Sequence, residues 1–312
     1  MYGKKNTNFS IIIPTYNRDW CIERAIRSVL QQEFKDWELI IVDDGSTDDT
    51  KDIVVKYLSD PRIKYFYKEN GGVGSARNIG IKHATNEAIM FLDSDDELIS
   101  GALSLIYSAI LKYTDSKIFS FRAINENGQK ISYTDKINDD LLINFTDFIS
   151  QKYIKGEAFF VFKKNIFYKN IFDENINGGE GVLLFGLIKE NGLMIINTNV
   201  RIYHTESVDS LISSRLTNEK MQNICKIQRK LIEKYGNDLR KNNKKYLGTT
   251  YLVLARALAL SNKKISSIKC FMLGYYYNPL DAKRIFLYVI SLFDYKLKVN
   301  NILNSFYSRY FL

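Results

Sequence analysis

The stretch Ala88-Ile89-Met90-Phe91-Leu92-Asp93-Ser94-Asp95-Asp96 decides the reading of this chain. Five apolar residues in a row predict a buried strand, and the acidic run marks its C-terminal end. Carboxylates crowded at one strand end repel each other unless a cation or hydrogen-bond donors offset them. Two carboxylates one residue apart can reach a hard divalent ion and a ribose hydroxyl. Mg²⁺ and Mn²⁺ favour oxygen ligands and keep positions for phosphate and water. The same residues also suit a helix start, since Asp and Ser cap helices well, so the triplet alone leaves both readings open.

Working outward, the same alternation repeats through the first hundred residues. Phe9 to Ile13 is a short apolar run closed by Pro14. Trp20 to Gln32 carries Ile22, Ala25, Ile26, Val29 and Leu30 at helical spacing. Glu38 to Val42 reads as the next strand and runs into Asp43-Asp44-Gly45-Ser46; Ser46 or Thr47 is placed to cap a helix through Leu58. Ile63 to Tyr67 reads as a third strand, and Gly71-Gly72-Val73-Gly74 opens a helix to about Ala84. Strand and helix in alternation, with polar residues at strand ends, predict a parallel α/β sheet. Ligands of such sheets bind outside the carboxyl ends of the strands. Thr15, Asp43, Asp44, Asp93 and Asp95 all lie at such ends.

Further on, a helix is expected from Gly101 to about Tyr113, and mixed strand and turn signals follow. Gly178 to Lys189 reads as a loop running into a helix, and Val200 to His204 as a final strand. From about Arg215 the pattern is helical, most clearly over Tyr246–Leu260 and Ala282–Phe293. The expected division is an α/β domain over 1–212 and a helical domain over 213–312.

The chain has 312 residues, 46% of them hydrophobic, enough for a sizeable core. Its three cysteines, Cys21, Cys225 and Cys270, are far apart and include no CxxC pair. That argues against a zinc or disulfide framework and fits a reducing compartment. No signal peptide is expected, and Ile285 to Phe293 is too short to span a bilayer. A cytoplasmic location, peripheral at the inner face of the cell membrane, is the expectation. The net charge of +9 is uneven. Arg215–Leu312 carries 19 basic and 5 acidic residues, whereas Met1–Ser214 is net −5. A basic tail on a mildly acidic body suits an anionic surface, whether nucleic acid or anionic lipid. A homodimer contact is the alternative use of that tail.

Taken singly, the other motifs are ambiguous. Asp43-Asp44-Gly45-Ser46 fits a turn as well as a ribose or uracil contact. Gly71-Gly72-Val73-Gly74-Ser75-Ala76-Arg77-Asn78 lacks the Gly-Lys-Ser/Thr of a phosphate loop, although its glycines, helix start and Arg77 cation suit a diphosphate.

Taken together, the segments resemble family-2 glycosyltransferases of the GT-A fold, a nucleotide-diphospho-sugar transferase architecture. The matching stretches are Ile11-Ile12-Ile13-Pro14-Thr15-Tyr16-Asn17-Arg18, Val42-Asp43-Asp44-Gly45-Ser46-Thr47-Asp48, Gly72 to Gly80, and Phe91-Leu92-Asp93-Ser94-Asp95-Asp96, in that order and spacing. The resemblance implies that Pro14, Thr15, Tyr16 and Asp44 hold the uridine end of a UDP-sugar, with Arg77 and Ser94 nearby. It implies that Asp93 faces the ribose and the metal, that Asp95 coordinates Mn²⁺ or Mg²⁺, and that His204 contacts the metal or diphosphate. It further implies inversion at the anomeric carbon and a glycan or polyprenyl-linked glycan acceptor, as in bacterial capsule and surface polysaccharide synthesis. One departure stands out. Where relatives carry Gly-Glu-Asp, this chain reads Gly179-Glu180-Gly181, so the general base falls to Glu180 or to another carboxylate.

Two other classes compete. A nucleotidyltransferase would need a glycine-rich basic loop after the first strand, which Pro14-Thr15-Tyr16-Asn17-Arg18 is not. A nucleotide-sugar-binding pseudo-transferase, or a nucleic-acid- or membrane-binding module, would account for Gly181 and the basic tail; the lipid surface is preferred over nucleic acid.

Overall fold

A computed structural model describes residues 8–132, 137–154, 156–168, 171–204 and 217–293. The chain divides into two compact units, Met1–Thr205 and Glu206–Leu312. The expected division at 212/213 falls outside the described residues.

Among the described residues, the first unit is built on one nine-stranded sheet. Its parallel half follows the βα alternation of the sequence: β1 (Phe9–Thr15), α1 (Ile22–Leu30), β2 (Trp37–Asp43), α2 (Thr50–Val55), β3 (Ile63–Tyr67), α3 (Val73–His83) and β4 (Ala88–Phe91). Strands β3, β2, β1 and β4 lie side by side in that order, all parallel. All residues of β1 and β2 are buried. Strands covered on both faces read as continuous apolar runs, which is why the sequence revealed them. Pro14 lies beyond the last β1–β4 pair, Ile12 with Phe91, so its missing N–H interrupts no ladder on that side.

Beyond β4 the parallel alternation of the first hundred residues gives way to a mixed arrangement. The chain continues through β5 (Glu97–Leu98), α4 (Ala102–Lys112), β6 (Ile118–Asn125), β7 (Leu141–Ile143), α5 (Phe145–Ile149), β8 (Ala158–Lys163), a 3₁₀ turn (Lys164–Tyr168), α6 (Glu180–Asn191) and β9 (Leu193–Tyr203). Strand β8 enters antiparallel between β4 and β6, and β6 pairs parallel with β9. The sheet is therefore mixed. The final strand has 11 residues rather than the five of Val200–His204. The expected Ser46 or Thr47 cap is also corrected: α2 starts at Thr50 with Asp49 at its N-cap.

Two features fix the parallel half. Gly80 on α3 faces Ile12, where a Cβ would overlap the isoleucine side chain, so helix and sheet meet at van der Waals distance only because glycine is there. Glu38, near the start of β2, is almost fully buried. It accepts from Ser10 Oγ (2.6 Å), Thr85 N (2.6 Å), Thr85 Oγ1 (2.8 Å) and Lys64 Nζ (2.7 Å). Burial opposes its charge, yet these partners outweigh burial and lower its pKa to about 2.

The second unit is helical: α7 (Asn218–Asn242), α8 (Lys244–Leu260), α9 (Lys264–Tyr277) and α10 (Ala282–Phe293). Thr217 and Asn243 cap α7 and α8 by accepting from Lys220 N and Tyr246 N. Met221 and Cys225 of α7 pack with Leu254, Ala257 and Leu258 of α8. A Cβ on Gly274 would lie 2.7 Å from Leu252 Cγ, so α9 rests against α8 through glycine. Among the described residues no helix is long and apolar enough to cross a membrane.

Candidate active site

The loops after β1 and β2 are laced together. Thr15 pairs with Asp43 in register, and Asp44 N donates to Thr15 O at 2.8 Å. Asn17 adopts a left-handed φ of 51°, which asparagine tolerates better than most residues. There its Oδ1 accepts from Thr47 N (2.8 Å), while its own N donates to Ser46 Oγ (2.9 Å). Arg18 N donates to Thr50 Oγ1 at 2.8 Å. Thr15 Oγ1 is buried and has no hydrogen-bond partner among the described residues, whereas Tyr16 beside it is 45% exposed. One unsatisfied hydroxyl and one open ring at a parallel strand end suit a nucleoside.

Asp44 is tied more tightly than the sequence suggests. Its carboxylate accepts from Lys68 Nζ (2.6 Å), Gly71 N (2.9 Å) and Gly72 N (2.7 Å). It thus pins the glycine turn that opens α3. Gly72, at φ 87°, needs the freedom of glycine to make that turn.

One helical turn into α3, Arg77 reaches across the strand ends. Its Nη2 lies 2.9 Å from Asp93 Oδ1 and its Nη1 2.6 Å from Glu180 Oε1. Phe91 and Phe172 lie about the guanidinium, 5.5 and 5.6 Å from their ring centroids. Motif residues from α3, β4 and the start of α6 therefore meet on one cation.

A second arginine, which the sequence reading did not single out, supports the acidic run from below. Arg201 of β9 is buried. Its Nη1 lies 2.8 Å from Asp96 Oδ2 and 3.8 Å from Asp93 Oδ2, and its Nη2 lies 3.2 Å from Glu157 Oε2. Asp96 is fully buried, so burial pushes its carboxyl up, with Asp93 and Asp95 adding to the shift while Arg201 pulls it down. The signal was present in the sequence: an arginine inside Val200–His204, an apolar strand, needs a buried acid.

Asp95 has a different environment. Burial raises its pKa, and the Asp93 charge raises it further. Its carboxylate accepts from no other side chain among the described residues, while its backbone carbonyl takes Arg24 Nη2 at 2.6 Å. Ser94 between the two acids is buried. His204 N donates to Asp96 Oδ1 at 3.3 Å, and its Nε2 lies 2.7 Å from Glu97 Oε1.

These donors fit a divalent cation in one respect. A half-buried carboxylate that takes no donor from another side chain, raised by burial and by a neighbouring carboxylate, is stabilised by added positive charge. Among the described residues no group of three or more His, Cys, Asp or Glu is placed to hold a metal ion. Mg²⁺ and Mn²⁺ can be bound through one or two carboxylates, with phosphate and water completing the shell.

Beside Asp93 a cavity of about 230 Å³ opens between β8 and α6. Arg77, Asp93, Glu157 and Glu180 line it together with apolar residues such as Phe160 and Leu184. It offers carboxylates next to a hydrophobic wall.

Sheet order and helix placement define a GT-A-type α/β fold followed by helices. The crystal structure of S. aureus TarS 1-349 in complex with UDP-GlcNAc superimposes with a TM-score of 0.63 and 18% identity, covering 93% of this chain and 91% of that one. Residues 10–176 match the family described as Glycosyl transferase family 2, and the chain belongs to that family. Among its relatives, the GalNAc(5)-diNAcBac-PP-undecaprenol beta-1,3-glucosyltransferase of Campylobacter jejuni is 39% identical over 208 residues, 65% of this chain and 66% of that protein. The Escherichia coli UDP-Glc:alpha-D-GlcNAc-diphosphoundecaprenol beta-1,3-glucosyltransferase WfgD is 40% identical over 134 residues, 40% of this chain and 53% of that protein. The matched segments thus span 66% and 53% of those two relatives.

Proposed function

We propose that this chain is a metal-dependent, inverting glycosyltransferase that moves a sugar from a UDP-sugar to a polyprenyl-linked glycan in bacterial surface polysaccharide synthesis. The observation that carries the reading is the Arg77 fork, which joins Asp93 and Glu180 at the mouth of the cavity. The names of the two undecaprenol-linked glucosyltransferases support the acceptor class, and UDP-GlcNAc in TarS supports the donor class.

In this reading Thr15, Tyr16 and Asp44 receive the uridine, with Pro14 ending the strand that presents them. Thr15 Oγ1 gains the partner it lacks. Arg77 and Ser94 stand near the diphosphate, and Asp93 faces the ribose. Asp95 and Asp93, with His204, would hold a divalent cation, which would neutralise charge developing on the diphosphate. Glu180 takes the proton of the acceptor hydroxyl, whose oxygen bonds to the anomeric carbon opposite the departing UDP. Gly181, whose Cβ position is open, leaves room for acceptor where the family resemblance implies an aspartate. Such an acceptor places the reaction at the inner face of the cell membrane.

UDP release from a panel of UDP-sugars, with and without Mn²⁺, tests the reading. Asp95→Asn is expected to lower kcat/KM by about a thousandfold, since several kcal/mol of charge stabilisation depend on it. Undiminished metal-dependent turnover in that variant sinks the metal assignment. Glu180→Gln should leave donor affinity intact and cut turnover by about a hundredfold or more; wild-type turnover would move the base elsewhere. The glycine at 181 and the basic tail favour one rival, a nucleotide-sugar-binding pseudo-transferase. Tight UDP binding with no turnover for any donor would select it.

A further inference from the structure

Helix α9 is built inside out. Its fully buried positions are small: Ser267, whose Oγ donates to Ala255 O at 2.8 Å, and Gly274, against Leu252. Phe271 and Tyr277 stack on Tyr288 and Tyr251, with ring centroids 4.3 and 6.2 Å apart, but other large apolar residues of the helix face outward. Ile265 is 76% exposed, Ile268 52%, Met272 62% and Tyr276 76%. At about 100° per residue these four fall within about 80° of arc, a stripe about 16 Å long. Leu273 and Tyr275 widen it on either side, at 42% and 50% exposure. A helix that folded only against its own neighbours would turn this face inward. A contiguous exposed apolar face marks an interaction surface.

Charge identifies the occupant. Helix α9 contains no acidic residue. Lys263, Lys264 and Lys269 flank or punctuate the stripe, are exposed, and have no ion-pair partner among the described residues. Leu239–Leu312 carries 13 basic residues against 2 acidic ones. A second copy of this unit would meet that charge with like charge. An apolar stripe among uncompensated lysines suits the headgroup–acyl boundary of an anionic bilayer.

We propose that α9 is a membrane-docking helix. It lies in the plane of an anionic phospholipid surface, with Ile265, Ile268, Met272 and Tyr276 in the acyl boundary and the lysines at the headgroups. This surface does not depend on the transferase reading.

Flotation of the full chain with defined vesicles tests it. Vesicles containing phosphatidylglycerol should bind about a hundredfold more tightly than pure phosphatidylcholine, three exposed lysines each giving roughly a factor of five. The combined variant Ile265→Gln, Met272→Gln, Tyr276→Gln should lose at least about tenfold in binding. Its circular dichroism melt should match wild type, because the replaced side chains face solvent. Lys264→Glu with Lys269→Glu should abolish the preference for phosphatidylglycerol while sparing the fold. Vesicle-free UDP release, measured on the same preparations, should be unchanged in both variants, which keeps this test separate from that of the active site. Wild-type protein that binds neither vesicle, or a glutamine variant that floats as well as wild type, overturns the proposal. So does a wild-type dimer in sedimentation that the glutamine variant dissolves, because the stripe then belongs to a second copy.

Discussion

Replacing Arg201 with methionine removes a charge and keeps most of the side-chain length. Arg201 has three carboxylate partners, and they do not count equally. Asp93 and Glu157 are 45% and 48% exposed, so water takes over their charge and their share is small. Asp96 is fully buried, and no other cation pairs with it among the described residues. Removing one member of a buried pair costs about 3–5 kcal/mol, because the other charge is stranded. Asp96 escapes part of this by binding a proton. In the variant, burial acts on its carboxyl without the opposing pull of Arg201, so its folded pKa rises further above the unfolded value. A carboxyl whose folded pKa is raised loses stability as pH climbs from the unfolded toward the folded pKa, by about 1.4 kcal/mol per unit. Urea titrations of both proteins between about pH 7 and 9.5 should therefore show a gap that stays constant while the carboxyl is protonated in both folded proteins and widens above the wild-type folded pKa of about 8, by up to about 1.4 kcal/mol per unit. Adding Asp96→Asn should recover about half of the loss, since no buried charge remains. A gap below about 1 kcal/mol, or one equally wide at every pH, would refute the argument that Arg201 is there to hold Asp96.

Two further outcomes follow from the packing of the sheet. Glu38→Gln should cost about 3 kcal/mol at neutral pH, the free energy of lowering its pKa from 4.5 to about 2. A lowered folded pKa gives stability that is present above the unfolded value, so wild type should converge on the variant as pH falls from about 4.5 to about 2; parallel acid-unfolding curves would contradict this. Gly80→Ala should lower stability by about 1–3 kcal/mol and the melting temperature by several degrees, because the added methyl overlaps Ile12. A melt at the wild-type temperature would mean that α3 can move away from β1 at no cost.

The parallel half of the fold was legible because its strands are covered on both faces and its turns carry Pro, Gly and Asp. Apolar runs marked β1 to β4, and only their ends shifted by a residue or two. The antiparallel insertion was not legible. Ala158-Phe159-Phe160-Val161-Phe162-Lys163 is apolar enough for strand or buried helix, and nothing in it states direction. Pairing of β8 with β4 joins residues about seventy positions apart in the chain. The acidic run, Arg77 and Glu180 were visible as motif residues. The partners that tie them were not, since Arg201 and Glu157 belong to no motif and gain meaning only from β9 and β8 lying side by side with β6. The short β5 was hidden for a related reason: two residues carry no periodicity, and only the length of β9 gives them something to pair with.

The three donors on Asp44 bear on the timing of donor capture. Lys68, Gly71 and Gly72 close the cleft wall during folding, before any nucleotide arrives. Encounter then needs no loop ordering on that side, and the entropy of holding the glycine turn is not charged against affinity. On the proposed reading, capture of the uridine end is a diffusional docking event whose rate scales with donor concentration and feels the surrounding charge. Any slow step in a catalytic cycle must then come from elsewhere, in product departure or in the arrival of the acceptor.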